Sequence, residues 1–344
     1  MSADQLAAQI DAAAPRPTIF LRHIAEIVAE RREPRWLLHR VLERGVLAVL
    51  AGPRGTFKSF VALDWSMRAA VAGHPALILS GEGAGLDRRV DAWMRVHGAG
   101  ITLEELPIRA LERPLRLTAG GDLAELVEVI EAAPPRPNLI VIDTMSKYAA
   151  GLDENDNAKV AEYLGDLATG LRDRFDAAVL LVAHSGHGDS KRPRGASALM
   201  CNPDAEYIIE RSAPTDMTVT VSRERFKDYA SLDPLAYTAE VIDLGRMDSH
   251  GERVTSLALR SAQAPPVAPK INGRNMTAAA TALREWSRTR PDARHISTPE
   301  LGDLLKAHGV RDRRRRIEVI NGLINLRAVT AAIGGYTLDP SVLT

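Results

Sequence analysis

Cysteine is nearly absent. Cys201 is the one thiol in 344 residues, so no disulfide can close within the chain. That excludes the disulfide-stapled secreted scaffolds and agrees with a reducing compartment such as the cytoplasm. Long apolar runs are missing too: no stretch reaches the 18 residues that signal a membrane span, so no membrane partner is expected. Residues 1–14 are acidic and lack the basic-then-apolar order of an export signal. Net charge is also missing, because 44 basic residues meet 44 acidic ones. The whole molecule is therefore no polycationic nucleic-acid binder, and charge has to be read by region. No internal repeat is present. Apolar residues make up 45 %, and the length suits two domains or one large domain with a small one.

Residues 1–35 read as a helical lead-in, with apolar residues at helical spacing from Ile19 to Ile27. From Val46 the texture changes. Four continuous apolar runs, 46–50, 76–79, 139–142 and 177–183, alternate with helical stretches near 58–72, 86–97, 122–132 and 157–174. Fully apolar strands alternating with helices predict an α/β core, a mostly parallel sheet covered on both faces. Residues 204–243 switch to shorter alternating runs that suit antiparallel strands at the edge of the same sheet. The core is expected over 36–245 and a linker over 246–275, whose end is rich in Ala, Pro and Gly. Residues 276–344 then predict helices over 277–288, 299–308 and 312–325 and a hairpin around Gly334-Gly335, with Thr298 as the cap of the second helix. Three helices and a wing make the winged-helix pattern.

The chemistry gathers at strand ends. Gly52-Pro53-Arg54-Gly55-Thr56-Phe57-Lys58-Ser59 leaves an apolar strand and opens a helix that continues through Phe60, the context of a Walker A loop. Backbone N–H groups of such a loop wrap phosphates, and the helix N-terminus adds a favourable dipole. Lys58 would reach the β- and γ-phosphates of ATP, and Ser59 would bind Mg2+. Phe57 stands where the pattern wants glycine, so its side chain must point away from the nucleotide. Asp143 ends the run Leu139-Ile140-Val141-Ile142 as a Walker B aspartate, placed to hold Mg2+. Glu82 follows the second strand in Ser80-Gly81-Glu82-Gly83, where a carboxylate could activate water. By spacing alone, His184 reads equally as a γ-phosphate sensor and as a structural histidine.

This arrangement of motifs resembles the RecA-like P-loop ATPases, and within them the RepA-type plasmid and phage replication proteins, relatives of the DnaB-type helicases. The resemblance covers about 36–245. It implies that Glu82 is the catalytic base and that His184 sits at a strand end facing the γ-phosphate and DNA. It implies that the segment 185–197, with Arg192 and Arg194, faces single-stranded DNA in the central channel of a homo-oligomeric, hexameric ring. Arg225 and Lys227 match a basic-x-basic pair that reaches the neighbour's nucleotide. Replication proteins are the implied further partners.

Residues 271–344 hold 12 basic and 7 acidic residues, a balance of +5, with Arg313, Arg314, Arg315 and Arg316 together at a helix start. Such a cluster suits phosphate contacts of DNA, or a charged protein-binding face. Three functions are compatible with the chain: a DNA motor, a nucleotide-switched loader or regulator on DNA, and a small-molecule kinase. The last is disfavoured because no arginine-rich lid is evident.

Overall fold

The computed structural model describes residues 21–30, 33–81, 83, 85–118, 120–184, 198–226, 229, 233–263, 273–325 and 328–339. A short helix, α1 (Ile24–Ala29), precedes a hairpin of β1 (Trp36–Leu38) and β2 (Leu42–Glu43). The core then runs β3 (Leu47–Gly52), α2 (Lys58–Val71), β4 (Ala76–Ser80), α3 (Leu86–His97), β5 (Ile108–Leu111), α4 (Leu123–Ala132) and β6 (Leu139–Asp143). It continues through α5 (Met145–Tyr148), α6 (Asn157–Leu167), β7 (Ala178–His184), α7 (Ala198–Cys201), β8 (Ala205–Arg211), β9 (Thr218–Phe226), β10 (Leu235–Met247) and β11 (Arg253–Ala262). These nine strands form one sheet in the order β11-β10-β9-β8-β3-β7-β6-β4-β5.

The six strands from β8 to β5 are parallel, and β9, β10 and β11 run antiparallel at the other end. The central strands are apolar on both faces because both faces are covered. In β3, Leu47, Val49 and Ala51 enter one core, with Val127 and Ile130 of α4 and Val160 and Leu164 of α6. Ala48 and Leu50 enter the opposite core, with Val61, Ala62 and Trp65 of α2. The Trp65 indole donates to the Tyr237 hydroxyl at 2.9 Å, tying α2 to β10.

Two expectations about this region are corrected. β8 is not one of the antiparallel edge strands expected over 204–243: it pairs parallel with β3, which lets its C-terminal end stand beside the loop that follows β3. The linker expected from 246 begins later, because β10 runs to Met247 and β11 (Arg253–Ala262) pairs with it over most of its length. The alternation in β11 is interrupted by Ser256 and Ser261, which hides its strand character.

Beyond Gly273 lie α8 (Arg274–Thr289), β12 (His295–Ser297), α9 (Thr298–Ala307), α10 (Arg313–Asn325), β13 (Val329–Ala332) and β14 (Gly335–Leu338). The three strands form an antiparallel sheet in the order β12-β14-β13. Leu283, Trp286, Ile296, Leu301, Leu305, Val319 and Leu323 close a core of their own. The cap of α9 is Ser297, not Thr298: the Ser297 Oγ accepts from the Glu300 N–H, and Thr298 is already helical.

Candidate active site

The C-terminal ends of four parallel strands stand side by side. Gly52 of β3 pairs in register with His184 of β7, and Ser80 of β4 with Asp143 of β6. Ligands of open parallel sheets bind at this edge. Gly52 has to be glycine, since a Cβ there would fall 2.5 Å from both the carbonyl oxygen and the Cγ2 of Ile209 on β8. The chain then turns through Gly55, whose φ of +78° favours glycine. The Thr56 hydroxyl donates back to the Pro53 carbonyl at 2.8 Å and closes the loop.

Lys58 opens α2 and is 5 % exposed. Its ammonium donates to the carbonyls of Gly52 at 2.9 Å and Pro53 at 2.6 Å. A buried ammonium needs such partners, and a phosphate entering the loop offers stronger, charge-assisted ones. Phe57, at the helix N-cap, has φ +61° and ψ 24°, the left-handed conformation that costs a residue with a Cβ about 1–2 kcal/mol. Its ring lies under the Arg211 guanidinium, 4.5 Å from Cζ, and edge-on to Phe60 at 6.2 Å. The ring packs against the core beneath α2 and also borders the cleft.

Asp143 ends β6 at 5 % exposure and is joined to Thr144 by a cis peptide. Its carbonyl accepts from the Gly81 N–H at 2.8 Å, which ties the loop after β4 to the end of β6. Burial, and then the Asp143 charge, push the Tyr148 hydroxyl above its ordinary pKa, so Tyr148 stays neutral. Its hydroxyl donates to the Arg113 carbonyl at 3.0 Å.

These ends surround an open cleft of about 830 Å³. Its lining includes Lys58, Ser59 and Phe60 after β3, Gly81 and Gly83 after β4, Thr144 and Lys147 after β6, and His184 at the end of β7. Arg89, on the first turn of α3, closes the rim, its guanidinium 5.3 Å from the Phe60 ring centre. Four cations (Arg54, Lys58, Arg89 and Lys147) therefore border one volume, which suits a polyphosphate. The structure brings Lys58, Ser59 and His184 together here. Asp143 precedes Thr144 at the end of β6 and does not itself line the cleft. Glu82, Lys227, Arg192 and Arg194 fall outside the described residues, although Gly81 and Gly83 place both flanks of Glu82 at the cleft.

Arg225 does not line this cleft. Its register partner on β8 is Glu206, which is level with Val49 of β3, three residues before Gly52. In the C-terminal unit Arg313, Arg314 and Arg315 are exposed at the start of α10. Arg316 turns inward and donates to the carbonyls of Val310, at 3.3 Å, and Arg311. Arg89, Lys147, Thr144 and Arg211 were not anticipated. Arg89 and Lys147 had a usable signal: each lies within seven residues of a motif at a strand end, and such loops converge on one crevice.

A family model described as an AAA domain matches residues 14–190, more than half of the chain. The chain belongs to the AAA-domain family. The match contains the loop 52–59, Asp143 and His184, so the cleft lies within an AAA-type ATPase domain. No match is found among curated proteins. Several solved structures are similar at low identity. The RadB recombinase is 14 % identical with a TM-score of 0.43, covering 57 % of this chain and 87 % of its own. A DnaB-like replicative helicase, whose structure describes its interactions with primase, is 11 % identical with a TM-score of 0.43, covering 57 % of this chain and 56 % of its own. A KaiC-like protein from Pyrococcus horikoshii is 15 % identical with a TM-score of 0.43, covering 64 % of this chain and 91 % of its own. No described helix is long and apolar enough to cross a membrane.

Proposed function

We propose that this chain hydrolyses ATP as an oligomer that acts on DNA in the cytoplasm, in the manner of a replicative helicase. The observation that carries the reading is the Lys58 ammonium, buried on the carbonyls of its own loop at the mouth of an 830 Å³ cleft beside the Asp143 strand end. ATP would exchange those carbonyls for its β- and γ-phosphate oxygens, with the loop N–H groups and the start of α2 around them. Arg89 and Phe60 add a cation and an aromatic ring, 5.3 Å apart, to the lining.

Mg2+ fits the donors present. The Ser59 hydroxyl and the buried Asp143 carboxylate are hard oxygens, and among the described residues no cluster of three acidic, His or Cys side chains could hold a metal alone. Phosphate oxygens and water would complete its shell. When bound, Mg2+ offsets the charge that develops on the phosphoryl group. Glu82, between two cleft glycines, takes the proton of the attacking water. The water oxygen bonds to the γ-phosphorus as the bond from that phosphorus to the β–γ bridging oxygen breaks, ADP carries away that electron pair, and Lys58, Lys147 and His184 would stabilise the charge on the transferred group.

Arg225 does not line the cleft of its own chain. Together with Lys227 it is assigned to the nucleotide of a neighbouring copy, a head-to-tail contact that closes into a ring or runs on as a filament, and a ring of six is the assembly proposed here. Single-stranded DNA would pass Arg192 and Arg194, and replication proteins would meet this ring. Arg313, Arg314 and Arg315 are assigned to DNA phosphates, while Arg316 braces the turn before α10. That the basic charge concentrates on a unit with its own core favours a second reading, a DNA-bound loader or regulator that switches with nucleotide and does not translocate. ATP turnover with and without single-stranded DNA, beside strand displacement on a forked duplex, separates the two. DNA-stimulated turnover with displacement supports the helicase. Stimulated turnover without displacement supports the switch, and turnover indifferent to DNA removes both.

A further inference from the structure

The substitution of phenylalanine for glycine before Lys58 leaves the loop needing something to hold it. Phe57 sits at φ +61°, a conformation glycine takes freely and other residues resist. No side-chain hydrogen bond caps the helix at this position. The phosphate-facing geometry of the loop depends on the same dihedral, since Phe57 precedes Lys58 directly.

Arg211 is built against that point from three sides. It is the last residue of β8, two positions beyond Ile209, whose backbone and side chain leave no room for a Cβ at Gly52. Its guanidinium plane covers the Phe57 ring at 4.5 Å. One terminal nitrogen donates to the Gly55 carbonyl at 2.9 Å, on the other side of Thr56. Its Nε donates to the Asp216 carbonyl in the turn between β8 and β9, and this turn is closed by the Asp216 carboxylate accepting from the Thr218 N–H at 2.8 Å. One rigid, planar cation therefore grips the loop by a ring and a carbonyl and is anchored on the sheet.

We propose that Arg211 is a positioning residue that holds Phe57 in the left-handed conformation and so sets the loop for the nucleotide. It is not a nucleotide ligand: its partners are loop atoms and the turn between β8 and β9, and it does not line the cleft. This rests on the ATP-binding reading of the loop. It makes the beta strand next to the P-loop strand a substitute for the missing glycine.

A double-mutant cycle on the full chain tests it, reading the affinity for a fluorescent ATP analogue with Mg2+. Arg211→Ala should weaken binding about fivefold to tenfold in the natural background, the scale of a partly desolvated cation–π contact with a hydrogen bond. In a Phe57→Gly background the same change should have little effect, because glycine keeps the conformation unaided. Arg211→Lys retains charge without the planar fork and should recover only part of the affinity. Circular dichroism confirms that each variant is folded, and the lysine variant serves if the alanine one is not. An equal loss in both backgrounds would mean that Arg211 acts other than through Phe57, and no loss in either would remove its role. Both outcomes overturn the proposal. Lys58→Ala is the separate control: if it binds the analogue normally, the ATP reading itself has failed.

Discussion

Replacing Gly52 with alanine puts a methyl carbon 2.5 Å from the Ile209 carbonyl oxygen and from its Cγ2. Ordinary contacts begin near 3.4 Å, so something must move by about 1 Å. The carbonyl cannot give way easily, because Ile209 is paired with Val221 inside the sheet. The end of β3 must therefore retreat, taking with it the Gly52 carbonyl that holds the Lys58 ammonium at 2.9 Å. Overpacking of this kind costs about 1–3 kcal/mol, which lowers the melting temperature of a domain this size by about 3–10 °C. A displacement near 1 Å at a binding loop weakens function by up to about a hundredfold. Thermal melting and titration with a fluorescent ATP analogue read the two effects. Gly55→Ala is the informative comparison. Its Cβ meets nothing within 4 Å, but its φ of +78° strains any other residue, so it should impair the nucleotide with a smaller loss of melting temperature. A Gly52→Ala protein that melts and binds like the natural one would refute the packing argument. Adding Ile209→Ala should rescue only part of the effect, since half of the clash is with backbone.

Other consequences follow from the same geometry. If Arg225 serves the neighbouring copy, an equimolar mixture of Lys58→Ala and Arg225→Ala subunits, each inactive alone, should regain about a quarter of the natural turnover, the share of interfaces that pair an intact loop with an intact arginine. No recovery on mixing would leave Arg225 without this role. Replacing Arg313, Arg314 and Arg315 by alanine should weaken DNA binding and flatten its dependence on salt, since fewer counterions are released. Arg316→Ala should instead lower the melting temperature and leave the salt slope alone, and the reverse ranking would contradict the assignment. His308 has a raised pKa because its ring meets the Leu304 carbonyl at 3.0 Å and then the Glu285 carboxylate at 3.1 Å. A raised folded-state pKa stabilises fully below the unfolded value near 6.5 and is lost as pH rises through the folded value. The chain should melt slightly higher at pH 5.5 than at 8.5, and His308→Gln should narrow that difference. An unchanged difference would show that the ring contributes nothing.

The central strands were legible because burial on both faces leaves polar residues only at their C-terminal ends, Ser80, Asp143 and His184: ahead of these, β3, β4, β6 and β7 are uninterrupted apolar runs. Leu86–His97 and Asn157–Leu167 were legible from helical spacing. β5 was not, because it is an edge strand, and Arg109 and Ala110 occupy two of its four positions. The Walker-like loop could be read as a loop, since its spacing is local. Its bracing could not: Arg211 lies 156 positions beyond Gly55 and reaches it only because β8 docks beside β3, a long-range pairing that no local pattern encodes. The four consecutive arginines of α10 show the same limit. In sequence they are equivalent, and only the turn of the helix sends Arg316 back onto the preceding loop while the other three face solvent.

The most direct test of the central claim is steady-state release of phosphate from ATP with Mg2+ by the natural chain and by Lys58→Ala, at equal concentration, with both proteins shown to be folded. The account predicts measurable turnover by the natural chain and its loss, by at least about a hundredfold, when the ammonium between the Gly52 and Pro53 carbonyls is removed. Equal turnover by the two proteins, or none by the natural chain with or without DNA, would contradict it.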